Sequence, residues 1–261
     1  MAKKSVDDGK IYLGPSKMGS MKECPRCFWI LANKHIKKMP EGITAGLPKG
    51  IDRTLKEHYD AHRGKLTPEL VKENVPGVIY DDMEQVKKWR YYDGGLRYEV
   101  PGYEVVIRGA IDDVLFDDSV HKEGVFRTID YKTKASEEKA GVLEDAIKYN
   151  GTQLDFYNLF FDEWGLKVDG RGFIANYYPV HVEHREVDRE LQKTNVVPYV
   201  FGCIVHELKC DIQRAKDLAL EAAKLVRGGM PPATVGCQYC DFIQQHARVL
   251  DAVRSRGEVA V

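Results

Sequence analysis

The sequence has no run of 18 or more apolar residues, so no membrane-spanning helix is expected. Its lysine-bearing start, MAKKSVDDGK, is not followed by the apolar stretch a secretory signal needs. Together these absences predict a cytoplasmic protein with no membrane partner. Net charge is nearly absent too: 39 Lys and Arg against 40 Asp and Glu leave −1. A globally basic nucleic-acid binder is thereby excluded, and binding to nucleic acid would have to come from a local basic groove. Cysteine is scarce, with six in the chain, and a protein of this size in a reducing compartment does not need a disulfide framework. There is no internal repeat and no low-complexity tract. What is present is 261 residues, 43% of them hydrophobic, enough for a substantial core.

The chemistry concentrates between Gly109 and Thr133, where GAIDDVLF, a short charged turn and VFRTIDYKT follow one another. Two apolar runs around a Gly-containing turn predict successive β-strands. Strand alternation points Asp130 and Lys132 to one face. Two acids and an ammonium at strand ends suit a hard divalent cation that activates water. Taken alone, Asp-x-Lys on a strand usually marks a surface ion pair worth about 0–1 kcal/mol. The ordered set changes that balance: G-x-I-D, then I-D-Y-K-T, then Q-L-D-F-Y at 153–157. It resembles the PD-(D/E)XK nuclease superfamily, and within it the RecB-type exonuclease branch with its CRISPR-associated and recombination nucleases.

The resemblance implies an α/β, restriction-endonuclease-like core, a central mixed β-sheet flanked by helices, with a helical N-terminal part. It assigns Asp112 as the first metal-binding acid, with Asp113 as the alternative, Asp130 as the second and Lys132 as the catalytic lysine. Gln153 and Tyr157 match the Q-x-x-x-Y helix motif. The implied cofactor is Mg²⁺ or Mn²⁺. The implied substrate is DNA, single-stranded or at ends, with a helicase, an integrase or another recombination protein as partner. The rival function is a non-catalytic nucleic-acid-binding or scaffold protein that kept the fold. The intact Asp112, Asp130, Lys132 and Gln153 weigh against it.

The sequence departs from this branch at one place. Many members follow a glycine by four residues with a metal-binding histidine, and four residues after Gly50 stands Thr54. Asp52 and His58 are the candidates to replace it as outer ligands. Their competing readings are a first-turn acid that compensates the helix dipole and a packed or solvated histidine.

Four of the six cysteines form two C-x-x-C pairs, Cys24/Cys27 and Cys237/Cys240, which is metal-ligand spacing. One centre held by both pairs would close a loop over most of the chain. Cys203 and Cys210 lack such spacing and are expected to be small buried hydrophobes. Symmetric C-x-x-C pairs favour Zn²⁺. The resemblance favours a 4Fe-4S cluster, which is the preferred expectation. The cluster-bearing relatives place their fourth cysteine where this chain has His246, and Cys27 completes the all-thiolate set instead.

Several elements follow from pattern. Cys24 and Cys27 should open an amphipathic helix, residues 40–50 a loop, and 51–64 a helix with Ile51, Leu55, His58 or Tyr59, and His62 along one side. Residues 64–80 read as a connection. The basic and aromatic run Lys87, Lys88, Trp89, Arg90, Tyr91, Tyr92, Arg97 and Tyr98 has the composition that grips single strands, and the same residues also read as core aromatics beside solvated lysines. One long helix over 136–165, capped by Ser136, should turn Val142, Ala146, Tyr149, Gln153, Phe156, Tyr157, Phe160 and Trp164 inward. Strands follow from Gly170 and around Val200, with Pro198 arguing for an edge, and then a helix over 211–229. The expected organisation is a single domain over 1–261: a helical part over about 16–100, the nuclease core over 101–227, and a cysteine segment over 228–261 that returns to the N-terminal helix.

Overall fold

A computed structural model describes residues 8–36, 46–92, 95–180 and 199–256. They group into two compact units, one of residues 1–43, 99–107 and 216–261, the other of 44–98 and 108–215. No helix among the described residues is long and apolar enough to cross a membrane.

The larger unit is a mixed sheet with helices. Its strands are β2 (Val78–Ile79), β5 (Asp113–Asp117), β6 (Val125–Thr133), β7 (Arg171–Val180) and β8 (Val200–Lys209), in the order β2-β5-β6-β7-β8. β6 lies at the centre, antiparallel to β5 and parallel to β7, and β8 returns antiparallel to β7. Being covered on both faces, β6 reads as an unbroken buried run rather than an alternating one. The β5–β6 connection tightens at Gly124, whose φ of +70° favours glycine; a Cβ there would also stand 2.1 Å from the Phe116 ring.

Alternation divides the sheet chemically. Leu115, Ile129, Tyr131, Phe173, Ala175 and Tyr177 form one core cluster with Tyr59 of α3 (Gly46–Asp60) and Leu70 of α4 (Pro68–Lys72). Asp130 and Lys132 take the opposite parity, on the side of α7 (Leu143–Glu163), whose Gln153 reaches Asp130. α7 seats closely on β7 because Gly172 has no side chain: a Cβ there would meet Leu154 at 3.1 Å.

Four expectations about elements are corrected. The helix over 136–165 is two helices: Ser136 caps the short α6 (Glu137–Ala140), the chain breaks at Gly141-Val142, and α7 starts at Leu143. Within α7 the buried face differs from the expected stripe: Tyr149 and Trp164 are exposed while Asn150, Asp155 and Asn158 are buried. Burial of Asp155 is compensated by Arg214, whose Nε and Nη2 donate to it at 2.6 and 2.7 Å, and by the Asp211 N–H. α3 already begins at Gly46, inside the expected loop, and 64–80 contains α4 and β2. Trp89, at the end of α5 (Met83–Trp89), is 1% exposed and packs on Tyr80, Phe126 and Phe161, so it is a core residue rather than a stacking platform for bases. Tyr91 and Tyr92 of the same run are exposed. Pro198 and residues 181–187 lie outside the described residues.

In the smaller unit β1 (Ile11–Leu13) pairs in parallel with the start of β4 (Val105–Gly109). α1 (Met18–Glu23) is followed by Cys24 in extended conformation, and Pro25 opens α2 (Pro25–Ala32). The Arg26 Nε donates to the Pro231 carbonyl at 2.9 Å, Trp29 Nε1 to that of Gly228 at 3.0 Å and Asn33 Nδ2 to that of Val226 at 3.1 Å. These three bonds lay the chain after α8 (Ile212–Arg227) along α2 and bring Cys237, at the N-cap of α9 (Gln238–Ser255), to the N-terminal pair.

Candidate active site and thiolate centre

The acids meet because of register. β5 and β6 pair Asp113 with Ile129, and one step further the chain sets Asp112 opposite Asp130. Asp130 is 2% exposed, and its Oδ2 is paired with the Lys132 ammonium. Burial first, and the neighbouring Asp112 charge second, push the Asp130 carboxyl up to about 7, against the pull of Lys132. Burial works against the Lys132 ammonium, but Asp130 and then Asp112 outweigh it and hold its pKa above the ordinary lysine value. Two carboxylates brought together, one of them buried and neighboured by the charge of the other, are a donor set that fits a hard divalent cation.

Gln153 and Tyr157 act together. The Gln153 amide donates to Asp130 Oδ1 at 3.0 Å and to the Tyr157 hydroxyl, which in turn donates to the Ala110 carbonyl at 2.7 Å. One helix turn of α7 therefore orients Asp130 and fixes the chain just ahead of Asp112. Tyr157 touches the backbone rather than either acid, which makes it a positioning residue.

Asp113, the alternative first acid, is fully buried in a different network. Arg63 holds it with Nη1–Oδ1 2.6 Å and Nη2–Oδ2 2.9 Å, and Arg90 Nη2 adds a contact of 2.9 Å. Asp60 bridges both arginines. Arg90 Nε also donates to the Asp112 carbonyl at 2.8 Å, as does the Tyr131 hydroxyl at 3.1 Å. Two acids and two arginines thus neutralise one another and clamp the backbone of Asp112, leaving its carboxylate to face Asp130. The adjacent aspartates alternate across the strand, which separates their roles.

The two replacement candidates for the missing histidine go different ways. Asp52 lies near the acids, paired with Lys56 of its own helix, whose Nζ is also 3.2 Å from Asp112 Oδ1. His58 is held away on Glu69, Nε2–Oε1 2.9 Å, where the Tyr177 hydroxyl also donates to Glu69 at 2.7 Å. Lys56 and Arg63 lie outside the residues the sequence singles out, and Arg90, expected among the basic residues that grip a strand, is instead bound to Asp60 and Asp113. The i,i+4 spacing of Asp52 and Lys56 was the legible signal for the first; nothing local in the sequence marks the arginines for these contacts.

The four thiols converge within the smaller unit. Sγ–Sγ distances are 3.8 Å for Cys24–Cys240, 3.6 Å for Cys27–Cys237 and 3.5 Å for Cys27–Cys240, and all four sulfurs lie within 4.8 Å of one another. Burial raises the Cys27 and Cys240 thiols, the latter to about 11. It opposes the Cys24 thiolate as well, but backbone donors from Thr234 and Cys27 and the neighbouring thiols prevail and lower it to about 6. Zn–S bonds of about 2.3 Å put the sulfurs of a tetrahedral site about 3.8 Å apart. A cubane spreads its cysteines over four separate irons and needs wider spacing. The four thiols form a donor set for one bound metal centre. His246 is exposed on α9, stacked on Phe242, and Cys203 and Cys210 lie outside the group.

Comparison with known proteins agrees with this architecture. The model of the PD-(D/E)XK nuclease superfamily matches residues 47–245. This chain belongs to that superfamily. Its members are in general metal-dependent nucleases, and the mixed sheet with flanking helices is the restriction-endonuclease-like fold. No curated protein matches the PD-(D/E)XK chain. Among solved structures it is similar to the crystal structure of SSO0001, at 12% identity and a TM-score of 0.41, over 92% of this chain and 88% of that one.

Proposed function

We propose that this superfamily member is a divalent-metal-dependent deoxyribonuclease of RecB-like type, an exonuclease working on single-stranded DNA or DNA ends in recombination, repair or CRISPR-type adaptation. The observation that carries the reading is the convergence of Asp112, Asp130, Lys132 and Gln153 at one end of β6, in the family's motif order. Mg²⁺ or Mn²⁺ held by Asp112 and Asp130 would polarise the scissile phosphate and lower the pKa of a water. The protein's own part is positional and electrostatic. Gln153 keeps Asp130 Oδ1 turned to the site, Tyr157 and Arg90 hold the 110–112 backbone, and the Lys132 ammonium offsets charge that develops on the phosphate oxygens. Asp52 stands at the rim as an outer acid. The cysteine centre is proposed as a structural zinc site, since hydrolysis needs no electron carrier.

The test is degradation of end-labelled single- and double-stranded DNA with Mn²⁺, in the wild type and in Asp130→Ala. Metal-dependent loss of label confined to the wild type supports the reading. Absence of cleavage of either substrate, with DNA still bound, would move the protein to the non-catalytic class.

A further inference from the structure

Lys56 of α3 is a lysine that the proposed chemistry leaves unused, yet it stands among the acids. Its ammonium is 3.0 and 2.9 Å from the two Asp52 oxygens and 3.2 Å from Asp112 Oδ1. Asp112 Oδ2, by contrast, points to β6, where it accepts from the Tyr131 N–H at 3.3 Å. The two oxygens of one carboxylate are therefore divided, one toward the helix and its ammonium, the other toward Asp130. Side-chain exposure falls from 47% at Asp52 through 30% at Lys56 to 17% at Asp112, so the contact reaches inward from the rim rather than lying on open surface.

We infer that Lys56 is a tethered cation occupying the α3 side of the acid cluster, so that the site takes one divalent ion, on the Asp130 side of Asp112, rather than two. Charge counting supports it. Once an incoming ion has displaced the Asp130 proton, Asp52, Asp112 and Asp130 bring −3 and Lys56 with Lys132 brings +2, so one divalent ion changes the sign of the cluster and a second would face a net positive site. Without Lys56, Asp52 and Asp112 Oδ1 would be two adjacent carboxylates with no cation between them, which is a divalent-ion site in its own right. Chain connectivity fixes the ammonium in place, since Lys56 follows Asp52 by one helical turn and both project from the same side of α3. The inference rests on the nuclease reading of Asp112 and Asp130 and adds to it how many ions the site holds.

Mn²⁺ binding without DNA tests it, by electron paramagnetic resonance titration of the wild type, Lys56→Met and Lys56→Arg. The wild type and Lys56→Arg are expected to bind one ion per chain. Lys56→Met is expected to bind two, or to bind the first at least tenfold more tightly. In Mn²⁺-free buffer Lys56→Met should melt below the wild type and recover on adding Mn²⁺, a rescue that a merely structural lysine would not give. A wild type that binds two ions, or a Lys56→Met isotherm that superimposes on the wild type, overturns the inference and leaves the nuclease reading standing. A wild type that binds no Mn²⁺ overturns both.

Discussion

The carboxylate site and the thiolate centre start from the same device and use it for opposite ends. Each is seeded by two groups a short distance apart in sequence, Asp130 and Lys132 on a strand and a C-x-x-C at a helix start, and each is completed from far along the chain. At the carboxylate site the surroundings are already braced by protein: Gln153 and Tyr157 on one side, and the Asp60, Arg63, Arg90 and Asp113 network on the other. At the thiolate centre the sulfurs mainly face one another, with few donors besides themselves. A site braced by protein can lose its ion and keep its shape, and is suited to chemistry. A site whose ligands have mostly each other owes its shape to the ion, and is suited to holding the fold.

The sharpest way to break that contrast is at the thiols. Replacing Cys24, Cys27, Cys237 or Cys240 by serine should cost much of the metal's folding free energy, of which an intact structural zinc site supplies on the order of 10 kcal/mol. The expected result is insoluble or protease-sensitive protein and loss of one bound zinc by elemental analysis. Cys203→Ser or Cys210→Ser should perturb only local packing. A brown protein with broad absorbance near about 400 nm would instead identify an iron–sulfur centre.

Trp89→Ala probes the bracing around the carboxylate site. Deleting a buried tryptophan should cost about 3–5 kcal/mol, seen as a lower denaturation midpoint, with DNA affinity unchanged in the fraction that stays folded. Weakened DNA binding at full stability would return Trp89 to the surface role its sequence context suggested.

Asp130→Ala and Lys132→Ala should each reduce Mn²⁺-dependent cleavage by about 10²-fold or more, while melting temperature moves by only a few degrees. A parallel collapse of folding would show that this site, too, owes its shape to its own ligands.

The smallest effect is one of pH. Asp130 keeps its proton in the folded state to about 7, whereas an unfolded chain releases it near 3.8. Ionisation therefore favours the unfolded chain as pH rises through that window, and above it the full penalty remains. Asp130→Asn should accordingly melt like the wild type near pH 4 and a few degrees above it at pH 8, when both are measured without divalent ions. Equal melting temperatures at both pH values would mean that Asp130 is not desolvated.

Much of the candidate site's geometry was legible because its motifs are local. Asp130 and Lys132 share a face by strand periodicity, Gln153 and Tyr157 by helix periodicity, and C-x-x-C spacing announces a metal whatever its partners. The choice of Asp112 over Asp113 came from the resemblance rather than from pattern, because adjacent strand residues point oppositely and local pattern does not say which face is the cleft. The helix break at Gly141 was missed because the apolar spacing on either side continues in phase closely enough to read as one stripe.

The amino-acid sequence by itself determined the family, the order of the motifs and the paired residues within each motif, since those depend on residue types at short spacing. Only the tertiary structure decided that Trp89 is core, that His58 belongs to Glu69, that Lys56 stands between Asp52 and Asp112, and that four sulfurs lie close enough for one ion. The reason is physical. Each of these depends on what another segment, distant in the chain, brings within a few ångströms, and the energies that decide it, burial and charge pairing, are fixed by neighbours rather than by sequence spacing.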